Sequence, residues 1–135
     1  MQANEWGNYI VDRLNWLADK LTEHQVGVLA IEAPFVRPGM AFIRKARRAF
    51  GLAAIVQMVA WRRECAFVEL AAPTVRKAFC GTGRAEKHQV IAECKRRGWA
   101  PTDDNAADAI ALLHVVPSRL EWADIASGER ARAAA

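Results

Sequence analysis

Glu32, Asp104 and Asp108 are the residues of this 135-residue chain whose types and settings best suit chemistry. Glu32 closes an apolar run, VGVLAIE, over 26–32. A carboxylate in that setting is costly to bury unless a cation or a hydrogen-bond donor meets it. In open α/β sheets the C-terminal end of a strand is also where ligand sites gather. The plainer reading of Glu32 is a solvated strand end. The second acidic group, Asp103, Asp104 and Asp108, lies in DDNAADAIALLH. Asp104 just before a helix and Asp108 at its first turn would place two oxygen ligands on one face, as hard cations such as Mg²⁺ or Mn²⁺ require. Acids at a helix start also complement its dipole with no ligand at all. The third feature is TVRKAFCGTGRAEKHQV, over 74–90. Gly81 and Gly83 make a turn whose backbone can approach a phosphate closely. Arg76, Lys77, Arg84 and Lys87 surround that turn with cations. Such a turn opening a helix N-terminus suits an anion, and GxG by itself equally describes a plain linker between helices.

The charge balance allows a nucleic-acid partner without showing one. The net charge is +4 and the sequence pI is about 9.3. From Arg37 to Arg63 the charged residues are Arg37, Arg44, Lys45, Arg47, Arg48, Arg62 and Arg63, with no acid among them. A basic stretch of this kind is either a phosphate-binding surface or a solvated helix face. Hydrophobic residues make up 53% and charged residues 25%, which implies a packed globular core rather than disorder. No apolar run is long enough to span a membrane, and the N-terminus does not read as a secretory signal. Cys65, Cys80 and Cys94 show no CxxC spacing. Reduced thiols in a cytoplasmic protein, and no zinc site, are therefore expected.

The elements that must position these residues follow from periodicity. Over 6–22, Trp6, Tyr9, Ile10, Leu14, Leu17 and Leu21 recur at helical spacing and predict an amphipathic helix with one buried face. The run 26–32 predicts a strand, and Pro34, Pro38 and Gly39 a loop. A long helix is expected over 40–62, basic in its first half and apolar in its second; Gly51 inside it costs roughly 1 kcal/mol relative to Ala. Ala53, Ala54, Ile55, Met58, Val59 and Trp61 on that helix exceed what two strands can cover, so a homodimer seam is expected there. Residues 66–70 predict a second strand. A short helix over 73–79, ended by Gly81, follows. Further helices are expected over 84–97, stopped by Gly98, and over 105–114, capped by the polar residues before it. The result is a single α/β domain over 1–135, with a small, polar tail over 127–135 that is expected to fray.

Three blocks together resemble a family. APTVRKAFCGTGRAEKHQV is similar to the stretch of RuvC-type Holliday junction resolvases in which a short basic helix, a GxG turn and an A-x-K-x-x-V helix follow a strand. VGVLAIEAPF resembles that family's strand ending in a catalytic Glu, and DDNAADAIALLH its C-terminal acidic helix. The order and spacing of all three agree over roughly 6–114, and short phage and prophage members look most similar. The resemblance implies an RNase H-like mixed sheet flanked by helices and a Mg²⁺- or Mn²⁺-dependent endodeoxyribonuclease that cuts branched DNA as a homodimer. It implies Glu32, Asp104 and Asp108 as metal ligands, with Asp103 the alternative to Asp104. It makes Lys87 a catalytic cation near the scissile phosphate, with Arg76 on the preceding helix. Arg44, Lys45, Arg47, Arg48, Lys77 and Arg84 join them as DNA contacts.

Two departures stand out. Asn105 occupies a place where the family often has Asp. The family also opens with a strand bearing an Asp-x-x-x-Gly type motif and two further strands, and nothing before Glu32 fits that role, because Asp12 and Asp19 fall in the first helix. The sequence thus reads as truncated at its N-terminus or as a divergent member. A non-catalytic branched-DNA-binding or assembly module of the same fold is the alternative, and a nuclease acting on another nucleic acid is a third reading.

Overall fold

The computed structural model describes residues 3–35 and 42–118. Arg37, Pro38 and Gly39 of the expected loop, Met40 at the expected helix start, and the tail over 127–135 lie outside the described residues. The elements are α1 (Ala3–Glu23), β1 (Val28–Glu32), α2 (Phe42–Arg62), β2 (Ala66–Leu70), α3 (Ala72–Cys80), α4 (Lys87–Arg96) and α5 (Asp104–Val115), with a 3-10 turn over Val116–Ser118. Among the described residues the sheet is the pair β1–β2. It is parallel: the Ala66 N–H donates to Gly27 O at 2.9 Å and, further along both strands, the Ala33 N–H donates to Leu70 O at 2.8 Å. Parallel neighbours need a long crossover, and α2 supplies it. This is an α/β fold.

The chain divides into two compact units. In the first, α1 packs against α2. Leu21, Val59, Ala60 and Cys65 form its buried centre, with Leu14, Leu17, Ala18, Val26, Leu29 and Phe67 packed around them. Tyr9, expected on the buried face of α1, is exposed. It sits on the rim because the core contacts of α1 begin at Leu14. Val59, expected in a dimer seam, belongs to this core and leaves that stripe. Cys65 is buried, and its thiol donates to Val26 O at 3.0 Å.

Among the described residues, the second unit holds Ala30–Ala33 and the stretch 68–118. Helices α3, α4 and α5 pack on one another in it. Val75 and Phe79 from α3, Val90 and Cys94 from α4, and Ala107, Ala111, Leu112 and Val115 from α5 are buried. Cys94 and Ala107 are both fully buried small residues. They let α4 and α5 approach until the Cys94 thiol reaches Ala107 O at 3.6 Å. Arg97 adds a clamp: its guanidinium lies 4.3 Å from the centre of the Phe79 ring and donates to Phe79 O at 3.1 Å. Glu93 accepts from both Arg96 and Arg97, which holds its carboxyl down at about 2.

Three helices end in one motif, and only one of the three uses glycine. After α1, Val26 N–H donates to Leu21 O at 3.0 Å and Gln25 N–H to Thr22 O at 3.2 Å. After α2, Cys65 and Glu64 donate to Ala60 O and Trp61 O, at 2.9 and 3.1 Å. After α4, Trp99 and Gly98 donate to Cys94 O and Lys95 O, both at 3.0 Å. This pattern needs a left-handed residue at its centre. Gln25, Glu64 and Gly98 have φ of 50°, 58° and 90°. A side chain at positive φ costs about 1–2 kcal/mol. Gln25→Gly is therefore expected to raise stability by roughly 1 kcal/mol, read as a higher urea midpoint at unchanged slope. An unchanged or lower midpoint would show that Gln25 carries no such strain.

Two boundaries differ from expectation. Helix α4 begins at Lys87 rather than at Arg84. Thr82 Oγ1 accepts from the Arg84 N–H at 3.3 Å, and the Ala85 N–H turns back onto Thr82 O. That local turn delays the helix. Helix α5 begins at Asp104, so Asp108 sits in its second turn rather than its first. Asp103 is the cap, accepting from the Ala106 N–H at 2.7 Å.

Candidate functional site

The second unit gathers Glu32, Arg76, Lys87, Asp104 and Asp108 from four different elements. Glu32 ends β1, and the backbone bond from Ala33 to Leu70 O holds that end of the strand in register. Asp104 and Asp108 are four residues apart on α5, so their side chains leave the same face. Arg76 lies in the second turn of α3, and Lys87 is the first residue of α4.

Charge coupling shows which of these groups are neighbours. Burial raises the Glu32 carboxyl above its ordinary value, the Asp108 charge raises it further, and Arg76 pulls it back. Asp108 is raised mainly by burial; Arg76 opposes this, Asp104 adds to it, and Lys87 opposes it. Glu32, Asp108 and Arg76 thus share one electrostatic cluster. Asp104 behaves oppositely: its carboxylate accepts from Lys87 Nζ, and that bond and charge hold its pKa down. Lys87 is raised by the same contact.

Two further observations describe what the cluster lacks. Arg76 Nε is buried with no hydrogen-bond partner among the described residues. A buried donor left unpaired is unfavourable by roughly 1–3 kcal/mol, unless an acceptor arrives with a ligand. Also among the described residues, no group of three or more His, Cys, Asp or Glu is placed to hold a metal ion. With Asp104 turned to Lys87, Glu32 and Asp108 are the two acids of the cluster that no described cation pairs by a hydrogen bond, and the charge of Asp108 acts on Glu32.

The remaining expected residues fall elsewhere. Lys77 and Arg84 are exposed in the second unit. Arg44, Lys45, Arg47 and Arg48 belong to the first unit, on the N-terminal half of α2. The GxG turn is built as its glycines require. Gly81 has φ 87° and caps α3 by donating to Lys77 O at 3.0 Å. A Cβ on Gly83 would lie 3.2 Å from Pro73 O. The helix end that follows is not an open anion site. Glu86 caps α4, its N–H donating to Gln89 Oε1 at 2.7 Å, and its carboxylate stands near His88. A phosphate there would meet a like charge.

The sequence reading did not find the aromatic and basic contacts of the first unit. Trp6 stacks on Tyr9 with ring centres 5.5 Å apart, and Arg48 lies 4.8 Å over the Trp6 ring. The spacing of Trp6, Tyr9 and Arg13 at three and four residues was the available signal. The partnership with Arg48, more than 40 residues away in sequence, had none.

Comparison with known proteins finds both a family and a fold. A family model described as crossover junction endodeoxyribonuclease RuvC matches residues 2–115. Among solved structures, the chain is similar to that of Thermus thermophilus RuvC. The TM-score is 0.61 at 22% identity, covering 82% of this chain and 68% of that one. That likeness is one of fold, RNase H-like and α/β. No curated protein matches the chain.

Proposed function

The chain belongs to the crossover junction endodeoxyribonuclease RuvC family, and from that premise we propose that it nicks branched DNA, four-way junctions above all, with the aid of Mg²⁺ or Mn²⁺. The observation that carries this reading is the cluster of Glu32 and Asp108 beside Arg76. Two carboxylates of like charge, Glu32 at the exposed end of β1 and Asp108 half-buried on α5, suit a divalent cation, which neutralises both. Mg²⁺ and Mn²⁺ accept few protein ligands and complete their shells with water and phosphate oxygens. The residues therefore fit one such ion, held by Glu32 and Asp108, with Asp104 in reserve. Bound there, the ion would act as a Lewis acid on the phosphodiester.

The chain's own residues do the rest. Arg76 offers its unpaired Nε to a phosphate oxygen. Lys87 exchanges Asp104 for phosphate, which releases the Asp104 carboxylate toward the cluster. A carboxylate pair is a sparse donor set. Mn²⁺ binds most oxygen sites more tightly than Mg²⁺, so nicking is expected to be weak with Mg²⁺ and stronger with Mn²⁺. The test is a nicking assay on a synthetic four-way junction with each metal. Cleavage of linear duplex as readily as of the junction would remove the junction reading. Tight junction binding with no nicking under either metal would favour the non-catalytic module. The Lys87–Asp104 pair and the absence of a three-ligand group among the described residues are what speak for that alternative.

A second copy of this chain is the partner proposed for α2. Its exposed apolar residues Ile43, Phe50, Met58 and Trp61 recur at helical spacing along one stripe. Trp61 is 70% exposed. Trp61→Glu is expected to convert a dimer to a monomer at micromolar concentration by light scattering. A wild-type monomer, or a variant that stays dimeric, would move the contact elsewhere.

A further inference from the structure

The face of α2 that packs on α1 continues beyond the core, along Ile55 and Leu52, into the basic N-terminal half of the helix. There Arg44, Arg47 and Arg48 meet Trp6 across a groove of about 520 Å³. Its floor is apolar, built from Ile10, Leu52 and Ile55, and Gly51 leaves it open: a Cβ there would meet nothing within 4 Å. Trp6 and Arg48 of the groove wall begin a ladder of cations and rings that continues beside the groove. Arg48 lies over Trp6, Trp6 stacks on Tyr9 with its ring plane tilted only 16°, and Arg13 lies 5.2 Å over Tyr9. Among the described residues no acid lines the groove.

We propose that this groove is a second nucleic-acid site, which takes single-stranded DNA by its phosphates and by a stacked base. Arg44 and Arg47 are exposed cations for successive phosphates. The Trp6–Arg48 step offers a flat surface, and both aromatic rings and guanidinium planes stack bases. Ile10, Leu52 and Ile55 supply an apolar bed for the base edge. A duplex keeps its bases stacked inside and leaves the ladder and floor unused. An acidic peptide would satisfy the arginines and leave the same surfaces bare. A single strand uses all three. This inference rests on the reading that the basic half of α2 meets DNA, and it is independent of cleavage at Glu32.

The test is fluorescence anisotropy with four labelled probes: a short oligothymidylate, an abasic oligomer of the same length, a duplex and a four-way junction. Oligothymidylate is expected to bind more tightly than the abasic strand. Trp6→Leu is expected to lower its affinity about 10-fold while leaving abasic binding unchanged. Arg44→Gln with Arg47→Gln is expected to weaken both strands and to reduce the salt slope by about 1.4, at about 0.7 per phosphate on a single strand. Circular dichroism checks folding. If Trp6→Leu does not fold, Trp6→Phe should keep base-dependent binding and Arg48→Gln should lose it. Equal affinity for thymidylate and abasic strands overturns the proposal. So does oligoglutamate competing as well as oligothymidylate. Junction binding with no base dependence in single strands would sink this inference alone. Failure of every probe to bind would sink the DNA reading of the whole chain with it.

Discussion

Glu32→Gln is expected to lower Mn²⁺-supported nicking of a four-way junction by about 100-fold or more while leaving junction binding unchanged or tighter. The size follows from what the side chain does. Removing a group that merely orients a metal ligand already costs about 10–100-fold, and Glu32 is proposed as a ligand itself. Binding survives because the substitution removes a negative charge that phosphate must approach. Asp108→Asn should behave alike, since the two carboxylates act on one another.

A stability control separates lost chemistry from lost fold. Both carboxyls have folded-state pKa values above their ordinary ones. The folded chain therefore holds these protons more tightly than the unfolded chain, and stability falls as pH rises through the ordinary carboxylate range. Without metal, each neutral variant should melt at or above the wild-type temperature at neutral pH, and the difference should vanish at acid pH. A variant that melts well below wild type would mean that the carboxylates serve structure.

Neutralising the N-terminal half of α2 is expected to have the second large effect. The variant is Arg44→Gln, Lys45→Gln, Arg47→Gln and Arg48→Gln combined. Phosphate contacts dominate the affinity of DNA-binding proteins, and each adds about 0.9 to the slope of log K against log salt on duplex DNA. Four lost contacts would reduce that slope by about 3.6. At low salt the affinity for junction and duplex should drop by orders of magnitude, and near moderate salt the variant and wild type should converge. Nicking at saturating protein should persist, because these residues belong to the other unit from Glu32. An unchanged slope would show that this stretch is a solvated helix face and nothing more.

Much of the fold was legible because hydrophobic periodicity is a local signal. The strand 66–70 was read to the residue, and both long helices within three residues of their described ends. The helix ends at Gln25 and Glu64 were not legible as caps, since a positive φ is ordinarily announced by glycine or asparagine. The late start of α4 depended on one side-chain bond from Thr82, which composition does not reveal. In the site, the acids Glu32, Asp104 and Asp108 could be picked from their settings, whereas their division of labour could not. That Asp103 spends its carboxylate on a helix cap and Asp104 on Lys87 is a matter of side-chain direction across α4 and α5. The groove beside Trp6 was invisible for the same reason, being made by two helices far apart in sequence.

The proposal that Glu32 and Asp108 form one cation site is tested most directly by titrating Mn²⁺ calorimetrically into the wild-type chain, Glu32→Gln and Asp108→Asn at neutral pH. The expected result is a saturable binding heat in the wild type that is lost in each single variant, because neither carboxylate holds the ion alone. Equal binding in all three, or none in the wild type even with junction DNA present, would contradict it.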